Sequence, residues 1–377
     1  MGYYEILRYE NFRSKNYYIF RMANPFKFGS VISEDFFTDR EKEAENAKNV
    51  LESSNHLVLI SPRRYGKTSL INKVTSSLSR PVVYMDLQLA TDASDLATQL
   101  LKKFLNINKW ENIKHFLANF RIVPTLELNP QTGGIEASFA PSANNKFTPL
   151  EDVLSLIEKT GKKGNKPIVV LDEFQDILNL DKNLPKQLRA VIQHHKNVNY
   201  VFLGSQESMM KTIFESKKSP FYHFGHLMTL NKIPYNDFFN YLKKRFSHIT
   251  NKSEAISTEI LEFTQQHPYY TQQLAFYCYA FLEKERYKTE MLPFIIKQVI
   301  TIHDTDYERL WNTISKTDKK ILIDLALQGK LPVASFPQST IYSGLTRLIK
   351  LGYIIKPKNY EFDDPFFKNW LIFRRNG

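Results

Sequence analysis

Lys67, Thr68, Asp172 and Glu173 are the residues whose types and surroundings point most directly to chemistry. Ser61-Pro62-Arg63-Arg64-Tyr65-Gly66-Lys67-Thr68 follows the apolar run HLVLI and precedes SLINKV, close to the phosphate-binding loop pattern in its strand, loop and helix context. Loop amides and a helix N-terminus then aim at phosphates, Lys67 neutralises the β and γ oxygens, and Thr68 offers a hydroxyl to Mg²⁺. Ser61 stands where the pattern has glycine, which predicts a loop less free to enter left-handed conformations.

A hundred residues on, Ile168 to Leu171 ends in Asp172 and Glu173, two carboxylates at the tip of a buried strand, where open α/β sheets place ligands. Asp172 suits the Mg²⁺ shell, and Glu173 suits polarising an attacking water. Ser205 and Gln206 follow the next apolar run, where a sensor of the terminal phosphate would sit; a polar turn is the bland alternative. Asp86 and Gln175 rank lower as rim candidates.

The elements that must position these residues read as an alternation of apolar strands, at 56–60, 81–87, 167–173, 200–205 and 226–230, with amphipathic helices. Such alternation predicts an α/β fold with a parallel sheet covered on both faces. A charged helix is expected over Glu34–Leu51, with Ser33 or Asp35 as cap. The stretch near 121–141, built around NPQTGG, reads as an inserted hairpin.

Residues 1–23 read as an N-terminal extension, 24–231 as the core, 232–303 as a helical lid, and 304–377 as a winged helix from its helix, helix, hairpin order. In that last module Ser339, Tyr342, Ser343, Thr346, Arg347 and Lys350 would be displayed on the second helix and Lys356 and Lys358 on the wing, with Asp363 and Asp364 opposing a nucleic acid.

Composition sets outer bounds. With 42% hydrophobic and 24% charged residues in 377, the chain suits a multi-module globular protein. It has no apolar run long enough to span a membrane and no signal-peptide core, so a cytoplasmic location is expected. Its 51 Lys+Arg against 39 Asp+Glu, a formal charge of +12, permits contact with polyanions. Cys278 is the one cysteine, so neither an internal disulfide nor a cysteine metal site is available.

The ordered series NPFKFG, FFTDREKE, SPRRYGKTSL, VVLDEFQDI, VFLGSQESMM, SPFY, QHPYYTQQLA and DDPFFKNWL, spanning residues 24–372, resembles the archaeal-type ATPase family of the STAND clade, relatives of AAA+ ATPases. The resemblance implies a P-loop core of the additional-strand type, a helical lid and a C-terminal winged helix working as a nucleotide-controlled switch. ATP, ADP and Mg²⁺ are the implied ligands. Residues 62–69, Pro62 to Ser69, would then hold phosphate, Asp39 and Arg40 would lie near the adenine, Ser205 would take the sensor position, and His267-Pro268 would match a Gly-His-Pro-like lid element whose glycine is Gln266 here.

Where relatives commonly read SPLYGR, this chain has SPFYHF, with Phe224 in place of an arginine able to act as a finger; Arg189 is the substitute, unless it serves only its own helix. The leading expectation is an ATP-hydrolysing switch. The alternative is an ATP-regulated protein that binds DNA or a protein partner through the winged helix, and a small-molecule kinase ranks third.

Overall fold

The computed structural model describes residues 24–30, 37–108, 114–131, 133–140, 146–332, 335–356 and 359–376. The expected extension 1–23, the caps Ser33 and Asp35, and Lys358 fall outside the described residues.

Apolar runs form the sheet. β1 (Leu57–Ile60), β2 (Val82–Asp86), β5 (Ile168–Asp172), β6 (Asn199–Gly204) and β7 (His226–Thr229) lie in the order β2-β5-β6-β1-β7, and every pairing is parallel. β6 therefore separates the strand that feeds the loop from the strand that carries the acidic pair.

Successive side chains alternate between the faces. Leu57, Leu59, Val170, Val201 and Leu203 pack against α1 (Glu41–Glu52) and α2 (Lys67–Ser77). Val58, Ile60, Met85, Val169, Leu171 and Phe202 pack against α3 (Ala93–Ile107), α5 (Thr148–Thr160) and α7 (Leu184–Ile192) on the other face. Between α3 and α5 stand the short α4 (Lys114–Leu117) and an antiparallel hairpin of β3 (Thr125–Leu128) and β4 (Ile135–Ser138). The short α6 (Ile177–Leu180) precedes α7, and α8 (Glu207–Phe214) follows β6.

The helix expected from Glu34 starts later, at Glu41, among the described residues. Asp39 and Arg40 both have left-handed backbones, φ 92° and 93°, which helical geometry excludes. Arg40 is instead anchored by Glu43 at 2.7 Å and by the carbonyl of Asn231.

Beyond the sheet come α9 (Tyr235–Phe246), α10 (Ser253–Thr264), α11 (Pro268–Leu282), α12 (Met291–Ile302) and α13 (Asp304–Thr313). They are followed by α14 (Lys316–Gln328), α15 (Gln338–Lys350), a small antiparallel hairpin of β8 (Ile354–Ile355) and β9 (Glu361–Phe362), and α16 (Pro365–Asn376). One apolar core runs through all of these, from Phe238 and Leu242 through Tyr279 and Ile295 to Leu322, Leu348, Phe366 and Trp370. Phe26 inserts into it between Phe246 and Tyr279, with ring centroids 5.0 and 5.9 Å away.

Candidate functional site

The loop after β1 begins with Ser61 still in the ladder, its N–H donating to the Gly204 carbonyl at 3.2 Å. Positive φ occurs at Arg64 (65°) and Gly66 (87°), and Ser61 is outside that set, so serine at the loop's first position carries no left-handed strain. Gly66 leads directly into α2, whose first N–H groups lack intrahelical partners and face the loop. Lys67 folds back across the loop, its Nζ donating to the carbonyls of Ser61 and Pro62, both at 2.9 Å. Burial pushes its ammonium down to about 8, against the pull of Glu173 and Asp172.

The acidic pair reaches the same edge from β5. Thr68 Oγ1 donates to Asp172 Oδ2 at 3.2 Å, and the Tyr84 hydroxyl donates to the same oxygen. A hard cation that keeps much of its water shell needs one or two protein oxygens, and Thr68 with Asp172 supplies that donor set. Glu173 leaves the strand with φ 49° into a tight turn over Phe174–Asp176. Its Oε2 accepts from Ser205 Oγ at 2.6 Å, from the Ser205 N–H at 3.3 Å and from Gln175 Nε2 at 2.6 Å. Burial alone would raise the Glu173 carboxyl; hydrogen bonds from Ser205 and Gln175 and the charges of Lys67 and Arg63 outweigh it and hold the carboxyl below its ordinary value.

The structure thus gathers Lys67, Thr68, Asp172, Glu173 and Ser205 at one sheet edge. Arg63 is exposed there and Ser69 is buried in the first turn of α2. Asp86 caps the turn after β2 through the Gln88 N–H at 2.9 Å. Asp39 and Arg40 form a strap beside α11, where Gln272 Nε2 donates to Thr38 Oγ1 at 2.6 Å.

Arg64 and Tyr65 turn away from the loop toward α11. Arg64 Nη1 donates to the Tyr270 hydroxyl at 2.7 Å with its guanidinium over the Tyr269 ring at 4.7 Å. Tyr65 meets the His267 ring at 4.9 Å, and Pro268 opens α11 beside it. His267 Nδ1 accepts from the N–H groups of Tyr269 and Tyr270, at 3.2 and 3.4 Å, which places any ring proton on Nε2, 3.4 Å from Asp363 Oδ1. Asp364 accepts from Tyr307 at 3.0 Å and from the N–H groups of Phe366 and Phe367 at 2.8 and 3.0 Å. Burial raises the Asp364 carboxyl, although Tyr270 and Tyr307 hydrogen bond to it. Asp363 and Asp364 therefore face inward, not outward to oppose a nucleic acid as expected.

On α15, Tyr342 is 67% exposed, but Arg347 is committed to Asp318, at 3.1 and 2.8 Å. Thr346 bonds within its own helix, to the Tyr342 carbonyl at 2.9 Å. Arg189 stacks on Phe224 at 4.1 Å, and Phe224 lies against His56, which precedes β1. Arg189 is thus at the edge where strands begin, opposite the phosphate loop. Sequence reasoning did not single out Tyr84, Tyr270 or Tyr307 as partners of the site. The signal available for Tyr84 is its place near the end of β2, which pairs with β5.

No curated protein matches the chain. Among solved structures, the Walker-type ATPase of Pyrococcus abyssi is similar over 90% of this chain and 97% of its own, at 19% identity and a TM-score of 0.63. The Aeropyrum pernix ORC2 protein in its ADPNP–ADP complexes is similar over 93% and 100%, at 12% identity and a TM-score of 0.50. Its ADP form is similar over 94% and 100%, at 13% identity and 0.50. At these identities the likeness is one of fold, that of P-loop ATPases. The family described as an ATPase domain predominantly from Archaea matches residues 37–274, most of the chain, and the chain belongs to that family.

Proposed function

We propose that the chain hydrolyses ATP to ADP and phosphate at this sheet edge, and that nucleotide state sets the arrangement of the lid helices and a winged-helix module formed by residues 304–377, in the manner of a STAND-type switch. The observation that carries the reading is that one loop holds both sets of groups. Lys67 and Thr68 stand with the acidic pair, while Arg64 and Tyr65, in the same turn, hold Tyr270 and His267.

In the chemistry proposed, the loop amides and Lys67 bind the β and γ oxygens. Thr68 and Asp172 would hold Mg²⁺, which when bound offsets phosphate charge. Glu173 accepts a proton from water as the water oxygen bonds to the γ-phosphorus and the bond to the β-γ bridging oxygen breaks. ADP leaves with that electron pair, and Glu173 returns the proton to the phosphate product. Ser205 holds Glu173 in place. Phosphates drawing Arg64 inward would release Tyr270 and, through it, Asp364 at the start of α16. A DNA or protein partner would read the change through the winged helix.

Nucleotide binding and phosphate release by Lys67→Ala and Glu173→Gln test the proposal. Lys67→Ala should lose most ATP affinity, whereas Glu173→Gln should bind ATP as wild type does and turn over about 10²- to 10⁴-fold more slowly. Equal hydrolysis by Glu173→Gln and wild type would remove Glu173 from the role.

A further inference from the structure

Gln175 is fully buried, in the middle of the turn that takes the chain out of β5. Phe174 drives that turn by seating its ring among Phe202, Phe214 and Phe221, at 4.6, 5.6 and 5.3 Å. Gln175 is thereby returned beneath the Glu173 carboxylate, to which its amide donates at 2.6 Å. A carboxylate only accepts, so the contacting atom is the amide nitrogen. The other end of the amide, Oε1, is buried with no protein partner among the described residues.

For stability alone this is a poor use of a core position, since a buried acceptor without a donor is unfavourable and an apolar side chain of the same length avoids it. The arrangement makes sense through Glu173. All three donors described above, from Ser205 and Gln175, fall on Oε2. That leaves Oε1 of the carboxylate for a water.

We infer that Gln175 is the positioning residue of the hydrolytic base, clamping Oε2 of Glu173 together with Ser205 so that Oε1 is presented to the attacking water; the inference rests on the ATPase reading above. The unpartnered Gln175 carbonyl is then a second acceptor within the same pocket, suited to an ordered water.

The test compares wild type, Gln175→Met, Gln175→Leu, Glu173→Gln and the Gln175→Met/Glu173→Gln double variant for steady-state hydrolysis, ATP affinity and thermal melting. Gln175→Met keeps the length without the amide, and Gln175→Leu removes the amide donor with a shorter apolar side chain. Both should lose about 10- to 100-fold in kcat, with ATP affinity within about twofold of wild type. Gln175→Met should melt no lower than wild type, and should cost nothing further in the Glu173→Gln background. Wild-type turnover in both single variants, or a kcat loss matched by lost ATP affinity, overturns the inference while leaving the ATPase reading intact. If Gln175→Met does not fold, Gln175→Leu alone decides by the same two criteria. A wild-type protein that binds ATP without hydrolysing it overturns both.

Discussion

At the scale of single residues, the group with the clearest thermodynamic signature is His56, at the foot of β1. Its Nδ1 accepts from the Tyr200 N–H at 3.2 Å, a bond only the neutral ring can make. Burial, with smaller contributions from His195, Arg189 and Lys166, lowers its pKa to about 4. Between that value and the ordinary 6.5 the unfolded chain binds the proton and the folded chain does not, so stability falls as pH drops through this window. By pH 4.5 the loss should reach about 2–3 kcal/mol. Urea unfolding at pH 7 and 4.5 measures it, and His56→Gln should reduce the difference by that amount. The phosphate-loop residues and the acidic pair were legible from spacing, because each lies where a strand ends in a known geometry. Arg64 with Tyr270, 206 residues apart, was not, because only the folded chain makes them neighbours.

At the scale of elements, apolar runs announced all five strands of the main sheet; β1, β5 and β6 are buried along their whole length and need little but apolar residues, whereas the edge strand β7 buries only Met228. The start of α1 was misplaced because Asp39 and Arg40 adopt left-handed backbones that nothing in their side chains signals. Gln265 and Gln266 do the same before α11, at φ 51° and 60°, so the turn into α11 keeps a glycine-like conformation without glycine. Gly344 carries a different constraint: a Cβ there would lie 2.5 Å from Ile321 and 2.7 Å from Asp318, on the facing helix α14. Gly344→Ala must displace the Ile321 side chain and disturb the Asp318–Arg347 pair, and should cost about 1–3 kcal/mol, measured by denaturant titration. An unchanged midpoint would mean that the Ile321 and Asp318 side chains give way freely.

At the scale of the whole molecule, the position of Arg189 bears on rate. β1 has four residues, so Arg189 and Phe224 are about 13 Å or more from the phosphate loop. An arginine finger contributes about 10³- to 10⁵-fold where it operates, and the distance of Arg189 from the loop predicts slow basal turnover. Specific activity should then stay flat over a wide range of protein concentration; a steep rise, abolished by Arg189→Ala, would show that a second copy receives this cation. The charge of +12 invites a matching question about DNA. With Arg347 tied to Asp318, α15 and the described part of the hairpin offer Lys350 and Lys356. Duplex binding through this face should be weak, with a log–log salt slope of about −2 at most. A slope of −5 or steeper in a fluorescence titration would assign binding to another surface.

The core shared by α9–α16 also has a consequence in time. Phe26 is made early, yet its ring partners Phe246 and Tyr279 come more than two hundred residues later, and the core they join is completed only at Leu371. At synthesis rates of about 5–20 residues per second, the sheet would be finished roughly 7–30 s before the last helix arrives. For that interval the nascent chain carries a finished nucleotide platform beside helices whose apolar faces have nothing to cover them. Each slow stretch of translation past Leu230 lengthens the window in which chaperones or aggregation compete for it.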